Sequence, residues 1–189
     1  MASTPSIHPD ARVAADATVT GDVSIGAGAR VASGARLVAE PGSSISVGAC
    51  TIVLENAVLR ATQRQSLTIG DHCLIGPHAH VVGATIGDEV FVATGASVFH
   101  GAILEPGSEV RINAVVHLRS RLEAGVNVPI GWVAVGDPAQ LFPPDRHEEI
   151  WALQAPLDFP GYVYGVDRGE DHPMRAITEA MSARLGEVD

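Results

Sequence analysis

Aliphatic side chains return every sixth residue along most of this chain, and that period decides what it can fold into. The series begins Ile7, Val13, Val19, Ile25, Val31, Leu37 and, after a four-residue slip at Pro41 to Ser44, resumes with Val47, Val53 and Leu59. It breaks across Ala61 to Ser66 and continues at Ile69, Ile75 and Val81. One five-residue step leads to Ile86, Val92 and Val98, and the series closes with Leu104, Val110, Val116, Leu122 and Val128. Two positions before most of these stands something compact: Ala11, Ala17, Ala29, Ala35, Thr51, Ala57, Cys73, Ala79, Ala84, Ala96, Ala102, Ser108, Ala114 and Ser120. Residues two apart share one side of a strand, so large and small side chains point inward together. Glycine often follows the aliphatic rung directly, as at Gly26, Gly48, Gly70, Gly76 and Gly87. Those glycines are expected to turn corners in backbone conformations costly to other residues.

A helix of 3.6 residues per turn cannot keep a six-residue repeat on one face, and hairpin signals are scarce. The pattern predicts an all-β core, a left-handed parallel β-helix of about seven coils, each of roughly 18 residues. Aromatic residues make up only 4% of the chain against 46% hydrophobic residues, so aliphatic side chains and Ala must fill the interior. The repeat stops near Pro138, which places the β-helix domain at residues 1–138 and a C-terminal helical cap, packed on the same domain, at 139–189. PPDRHEEIWALQ reads as a short helix, PLDFPGYVYGVDRGED as a linker, and Met174, Ile177, Met181 and Leu185 as the apolar side of a last helix. The flat outer faces suit a closed homotrimer.

A net charge of −10 argues against a nucleic acid or an anionic membrane as partner. No run of about 18 apolar residues offers a membrane span, and the N-terminal stretch has no signal-peptide pattern. Cys50 and Cys73 show neither zinc spacing nor a disulfide framework, which fits a reducing cytoplasm.

VGACTIVLENAVLR, IGDHCLIGPHAHVVGATIGDEVFVATGASVFHGA and VAVGDPAQ resemble segments of the gamma-class carbonic anhydrases, a branch of the hexapeptide-repeat acyltransferase superfamily. The resemblance covers about residues 7 to 155. It implies a homotrimer with a metal, usually zinc, held by three histidines at subunit boundaries. At the corresponding positions this chain has Arg60, Pro77 and Val82, and none of these can give zinc a lone pair. The family's metal-side Gln corresponds to Leu54, and its R-G-D segment to Ala39, Glu40 and Pro41. Glu55 keeps an acidic character. The resemblance therefore implies the fold without the usual metal centre.

Histidines are nevertheless plentiful nearby. His117 follows rung Val116 in the phase of Arg60 and Val82, His100 falls on the same corner one coil away, and His78 stands beside Pro77. His78 from a neighbouring subunit with His100 and His117 would make a relocated centre for zinc or another divalent transition metal; a site without metal is the other reading. His80 precedes its rung and should point outward. His78, His80, Arg60 and Glu55 are the candidate catalytic residues, with imidazole as the base. Arg60, Arg111, Arg119 and Arg121 either hold an anion or pair with Glu55, Glu89, Glu105 or Glu109 across the trimer seam. Cys73 belongs to the inward column. The preferred function is a carbonic-anhydrase-like enzyme, of lyase, hydration or proton-transfer type, acting on a small anionic substrate in an inter-subunit cleft. An acyl-coenzyme A-dependent acyltransferase and a non-catalytic trimeric scaffold are the alternatives.

Overall fold

A computed structural model of the chain describes residues 4–166 and 173–185. They divide into two compact units, 1–146 and 147–189.

The first unit is a left-handed parallel β-helix. Short strands stack into three sheets, two of seven strands and one of eight. The first face starts with Ser6–Ile7, the second with Arg12–Val13 and the third with Thr18–Thr20. Each strand pairs in parallel with its counterpart one coil on, and only the last, Gln140–Phe142, runs antiparallel, against Val133–Val135. Ladder partners on the first face are 18 residues apart for Ile7 and Ile25, then 22 for Ile25 with Val47 and Val47 with Ile69. The next step, Ile69 to Ile86, is 17, after which 18 returns.

The predicted rungs form the core. From Ile25 to Val128 every one of them is at most 3% exposed, Val81, Val98 and Val116 included. The first three, Ile7, Val13 and Val19, are partly open because theirs is the first coil among the described residues: Ile7 is 45% exposed. The compact column is buried beside them, apart from the half-buried Ala17. Cys73 lies in it with its thiol 3.0 Å from the Gly87 carbonyl; burial pushes that thiol above its ordinary pKa, as suits packing rather than reactivity.

The post-rung glycines have a different cause from the one expected. Gly26, Gly48, Gly70, Gly76 and Gly87 do not adopt positive φ. A Cβ on Gly26 would lie 2.9 Å from the Ala49 nitrogen, and one on Gly76 2.7 Å from the Ala93 carbonyl carbon. Successive coils simply leave no room there for a side chain. The left-handed residue comes two positions later, and often it is not glycine: Cys50, Asn56, His72, His78 and Glu89 all have φ near +55°.

Within the second unit, α1 (His147–Gln154) carries the predicted acids in its first turn and buries Ile150. The expected linker begins inside a 3-10 turn, Ala155–Leu157, and contains a π-helical turn at Pro160–Tyr164; residues 167–171 of it lie outside the described residues. In α2 (Pro173–Leu185) Ile177 is buried and Met181 half-buried, whereas Met174 is 64% exposed. The side chain of Leu185 lies outside the described ones. No helix among the described residues is long and apolar enough to cross a membrane.

Candidate functional site

Every departure from the six-residue spacing falls at one corner, the turn from the third face back to the first. Two four-residue excursions, Glu40–Ser43 and Thr62–Gln65, sit there in consecutive coils, and the shortened step at Gly83 follows directly beneath them. Insertion and deletion are complementary, since a Cβ on Gly83 would lie 2.8 Å from the Cβ of Gln65. The excursion therefore fills the notch left by the short coil. What the sequence showed as one slip and one break is a single stacked device.

A buried ion pair joins the two excursions. Glu40, only 5% exposed, accepts a hydrogen bond from Arg60 Nη2 at 2.6 Å through Oε1, and one from the Gln63 backbone N–H at 3.3 Å through Oε2. Ser43 Oγ donates to the Glu40 carbonyl at 2.8 Å, closing the first excursion. A carboxylate this buried has to be paired, because an isolated charge out of water is costly. Glu40 was not among the sequence candidates. Its signal was an acid set in the apolar run before Pro41, twenty residues ahead of the arginine at the start of the next excursion.

The ladder registers place the other candidates. Arg60 pairs with Val82, and Val81 with Val98, which pairs with Val116, so Arg60, Val82, Phe99 and His117 form one column just beyond the rungs of the third face. The Phe99 and His117 rings are 6.3 Å apart in it. Val82 is buried (4% exposed). His100 is one position further along the corner, its carbonyl accepting the Arg119 N–H at 2.9 Å. His80 pairs with Val58 and so lies diagonally across from Arg60 on the outer side of the sheet; it is half-buried. Glu55 and His78 belong elsewhere. They stack on the corner between the second and third faces, the His78 N–H donating to the Glu55 carbonyl at 3.0 Å, and both side chains are exposed. Pro77 is on that corner too, its carbonyl accepting the Gly95 N–H at 3.0 Å. One chain thus gathers Arg60, His80, His100 and His117 along the third face and its edge, and sets Glu55 and His78 apart.

Burial pushes the His80 imidazole below its ordinary pKa of 6.5, and the charge of Arg60 pushes it the same way. Burial alone lowers His117. Both rings are neutral at neutral pH. Among the described residues no ring nitrogen of His80 has a hydrogen-bond partner.

Three of the arginines pair within the chain: Arg60 with Glu40, Arg111 with Glu109 at 2.8 Å, and Arg121 with Glu105, whose other oxygen accepts the Ala124 N–H at 3.1 Å. That arrangement lowers the Glu105 pKa, chiefly through its hydrogen bond from Arg121.

The residues of one chain do not fit a metal. Among the described residues no group of three or more His, Cys, Asp or Glu converges to hold one. Arg60 is committed to Glu40, and Val82 and Pro77 offer no lone pair. His117 adds a further reason. Its Nδ1 is buried without a hydrogen-bond partner, whereas a ligating imidazole donates its second N–H to an acceptor. A proton on Nδ1 would leave a buried donor unmet at a cost of about 1–3 kcal/mol. Within one chain that ring thus lacks the acceptor that orients a ligating imidazole.

A family model described as hexapeptide repeat of succinyl-transferase matches residues 66–100. The mitochondrial gamma carbonic anhydrase 1 of Arabidopsis thaliana is 31% identical over 114 residues, 57% of this chain and 39% of the relative; gamma carbonic anhydrase 2 of the same plant is 30% identical over the same lengths. The chain spans about two-fifths of the length of these curated relatives. Among solved structures, a hexapeptide transferase family protein from Anaplasma phagocytophilum aligns over 96% of this chain and 92% of its own, with a TM-score of 0.52 and 25% identity. A Francisella novicida UDP-N-acetylglucosamine acyltransferase aligns over 97% and 85%, with a TM-score of 0.50; at 14% identity it shows the fold alone. Repeat, coil geometry and relatives agree: the chain is a left-handed β-helix built on a six-residue repeat, with a hexapeptide-repeat match at residues 66–100 and a likeness in sequence to the gamma-class carbonic anhydrases.

Proposed function

We propose that the chain is a carbonic-anhydrase-like small-molecule enzyme that transfers a proton on a small anionic substrate at the edge of the third face. The observation that carries this reading is the neutral, half-buried His80, without a hydrogen-bond partner among the described residues, across the sheet from the Arg60 guanidinium. A neutral imidazole accepts a proton and a guanidinium holds an oxyanion. The two stand on the face whose edge, at Arg60 and Val82, corresponds to ligand positions of the resembled family. In this reading the protein works as a homotrimer, and a second copy brings Glu55 and His78 to the same edge. Two free cysteines suit a reducing compartment such as the cytoplasm, although the plant relatives are named as mitochondrial.

Stopped-flow interconversion of carbon dioxide and bicarbonate, extended to a panel of small carboxylates, tests the reading with and without a chelator. Turnover should resist the chelator, fall at acid pH with an apparent pKa below 6.5, and drop at least about 100-fold in His80→Gln. Absence of turnover on every substrate would overturn it. Stoichiometric zinc, lost in His100→Ala or His117→Ala of untagged protein, would favour the relocated centre completed by a second copy's His78. The acyltransferase reading draws on the likeness to the Anaplasma phagocytophilum protein named as a hexapeptide transferase; a rise in Tm with coenzyme A would support it. A trimer that binds none of these ligands would be a scaffold.

A further inference from the structure

We infer that Arg60, held by Glu40, and His80 form a metal-free subsite for one planar monoanionic oxyanion, a carboxylate or bicarbonate. This rests on the function proposed above and names its substrate class. Arg60 has five N–H donors in a flat fork. Only Nη2 has an acceptor among the described residues, the Glu40 carboxylate. The side chain is one-third exposed, so its remaining donors are reachable from outside. Glu40 is itself fixed by the Gln63 N–H and by closure of its own excursion, and the orientation of the guanidinium is set before any ligand arrives.

Two further features shape the ligand. His80, outward on the neighbouring strand and diagonal to Arg60, is neutral and presents one N–H and one lone pair. Buried Val82, the ladder partner of Arg60, gives the site an apolar side, and low local dielectric strengthens hydrogen bonds made there. Charge then selects among anions. Glu40 already neutralises Arg60, so the pair attracts a monoanion through directed N–H groups but lacks the net charge to hold a dianion. A planar carboxylate accepts two parallel N–H bonds from such a fork, and the chain's net charge of −10 supplies no general attraction for anions.

The test uses full-length, metal-stripped protein, with 13C-formate and 13C-bicarbonate as probes and inorganic phosphate and chloride as comparators. Shifts of the His80 ring signals report occupancy. Formate and bicarbonate should saturate, phosphate should not compete at equal concentration, and Arg60→Lys, which loses the fork, should bind about tenfold more weakly. Arg60→Gln alone takes the guanidinium away from the buried Glu40 carboxylate, so Glu40→Gln combined with Arg60→Gln provides the neutral comparison, its fold checked by circular dichroism, and it should not bind. His72→Ala, at an exposed turn on another corner, should bind as the parent does. Unchanged affinity in the folded double variant would overturn the subsite, as would binding that appears only with added zinc and vanishes in His117→Ala. Formate binding without any proton-transfer activity would sink the enzyme reading and leave the subsite standing. Turnover that survives Arg60→Lys and the double variant would do the reverse.

Discussion

Two corners of the same prism follow different rules. Between the first and second faces, the spacing from rung to rung is six residues in every coil, Ile25 to Val31 through Leu122 to Val128. Glycines stack backbone on backbone, and carboxylates stitch one coil to the next: the Ala49 N–H donates to Asp71 Oδ1 at 2.6 Å, and the Asp71 N–H to Asp88 Oδ1 at 2.8 Å. Between the third and first faces, three consecutive coils break the spacing, by four residues more, four more and one fewer. That corner holds a buried ion pair and follows the face that carries the neutral histidines. The regular corner is explained entirely by stacking. The irregular one carries a buried charge that stacking does not require, and a feature that stability does not call for is where function is to be sought.

Lengthening each corner in turn should separate them most sharply. Four residues inserted after Ala49 would break the glycine stack and the bond to Asp71, and the melt should lose its cooperativity. Deleting Thr62–Gln65 restores the six-residue step from Leu59 to Ile69, so that variant should fold and show a β-rich circular dichroism spectrum with a modestly lower Tm. Next in size is Arg60→Ala, which takes the guanidinium away from the buried Glu40 carboxylate. It should cost about 3 kcal/mol in chemical denaturation, the low end for a buried pair because the guanidinium is one-third exposed. Adding Glu40→Gln to it should recover part of the loss. Gly87→Ala on the regular corner would place a Cβ 2.9 Å from the Pro106 nitrogen and should cost about 1–3 kcal/mol.

Acid provides a smaller effect, confined to the third face and its edge. Burial lowers the pKa of His80 and His117 in the folded chain, so below pH 6.5 the unfolded chain binds more protons. Their contribution is complete above pH 6.5 and is lost as pH falls from there through the folded values. Tm should accordingly fall between pH 7 and 5, less steeply in His117→Gln. Smallest is Glu105→Gln, whose exposed pair with Arg121 should leave Tm unchanged at 0.15 M salt.

The sequence made the interior legible because burial alone sets it: a six-residue period allows one inward phase, and Val81, Val98 and Val116 had no other place to go. The outward phase of His80 and the shared column of Arg60, Val82 and His117 followed from the same counting. The glycine positions were legible but their cause was not, since the pattern does not distinguish a need for positive φ at Gly26 from a lack of space there. Glu40 escaped because an excursion lies outside the repeat. Nothing in the period says where residues 40 to 43 turn, and their partner is a coil away. Nor did one chain bring Glu55 and His78 to the same edge, because residues on different corners of one prism stay apart whatever their chemistry.

The proposed site depends on Arg60 and His80 sharing one microenvironment. Titrating the His80 ring by NMR in the parent protein and in Glu40→Gln/Arg60→Gln tests this directly. The expected result is a pKa below 6.5 in the parent and a rise toward that value once the guanidinium is gone. A parent value at or above 6.5, or one that does not move in the variant, would contradict it.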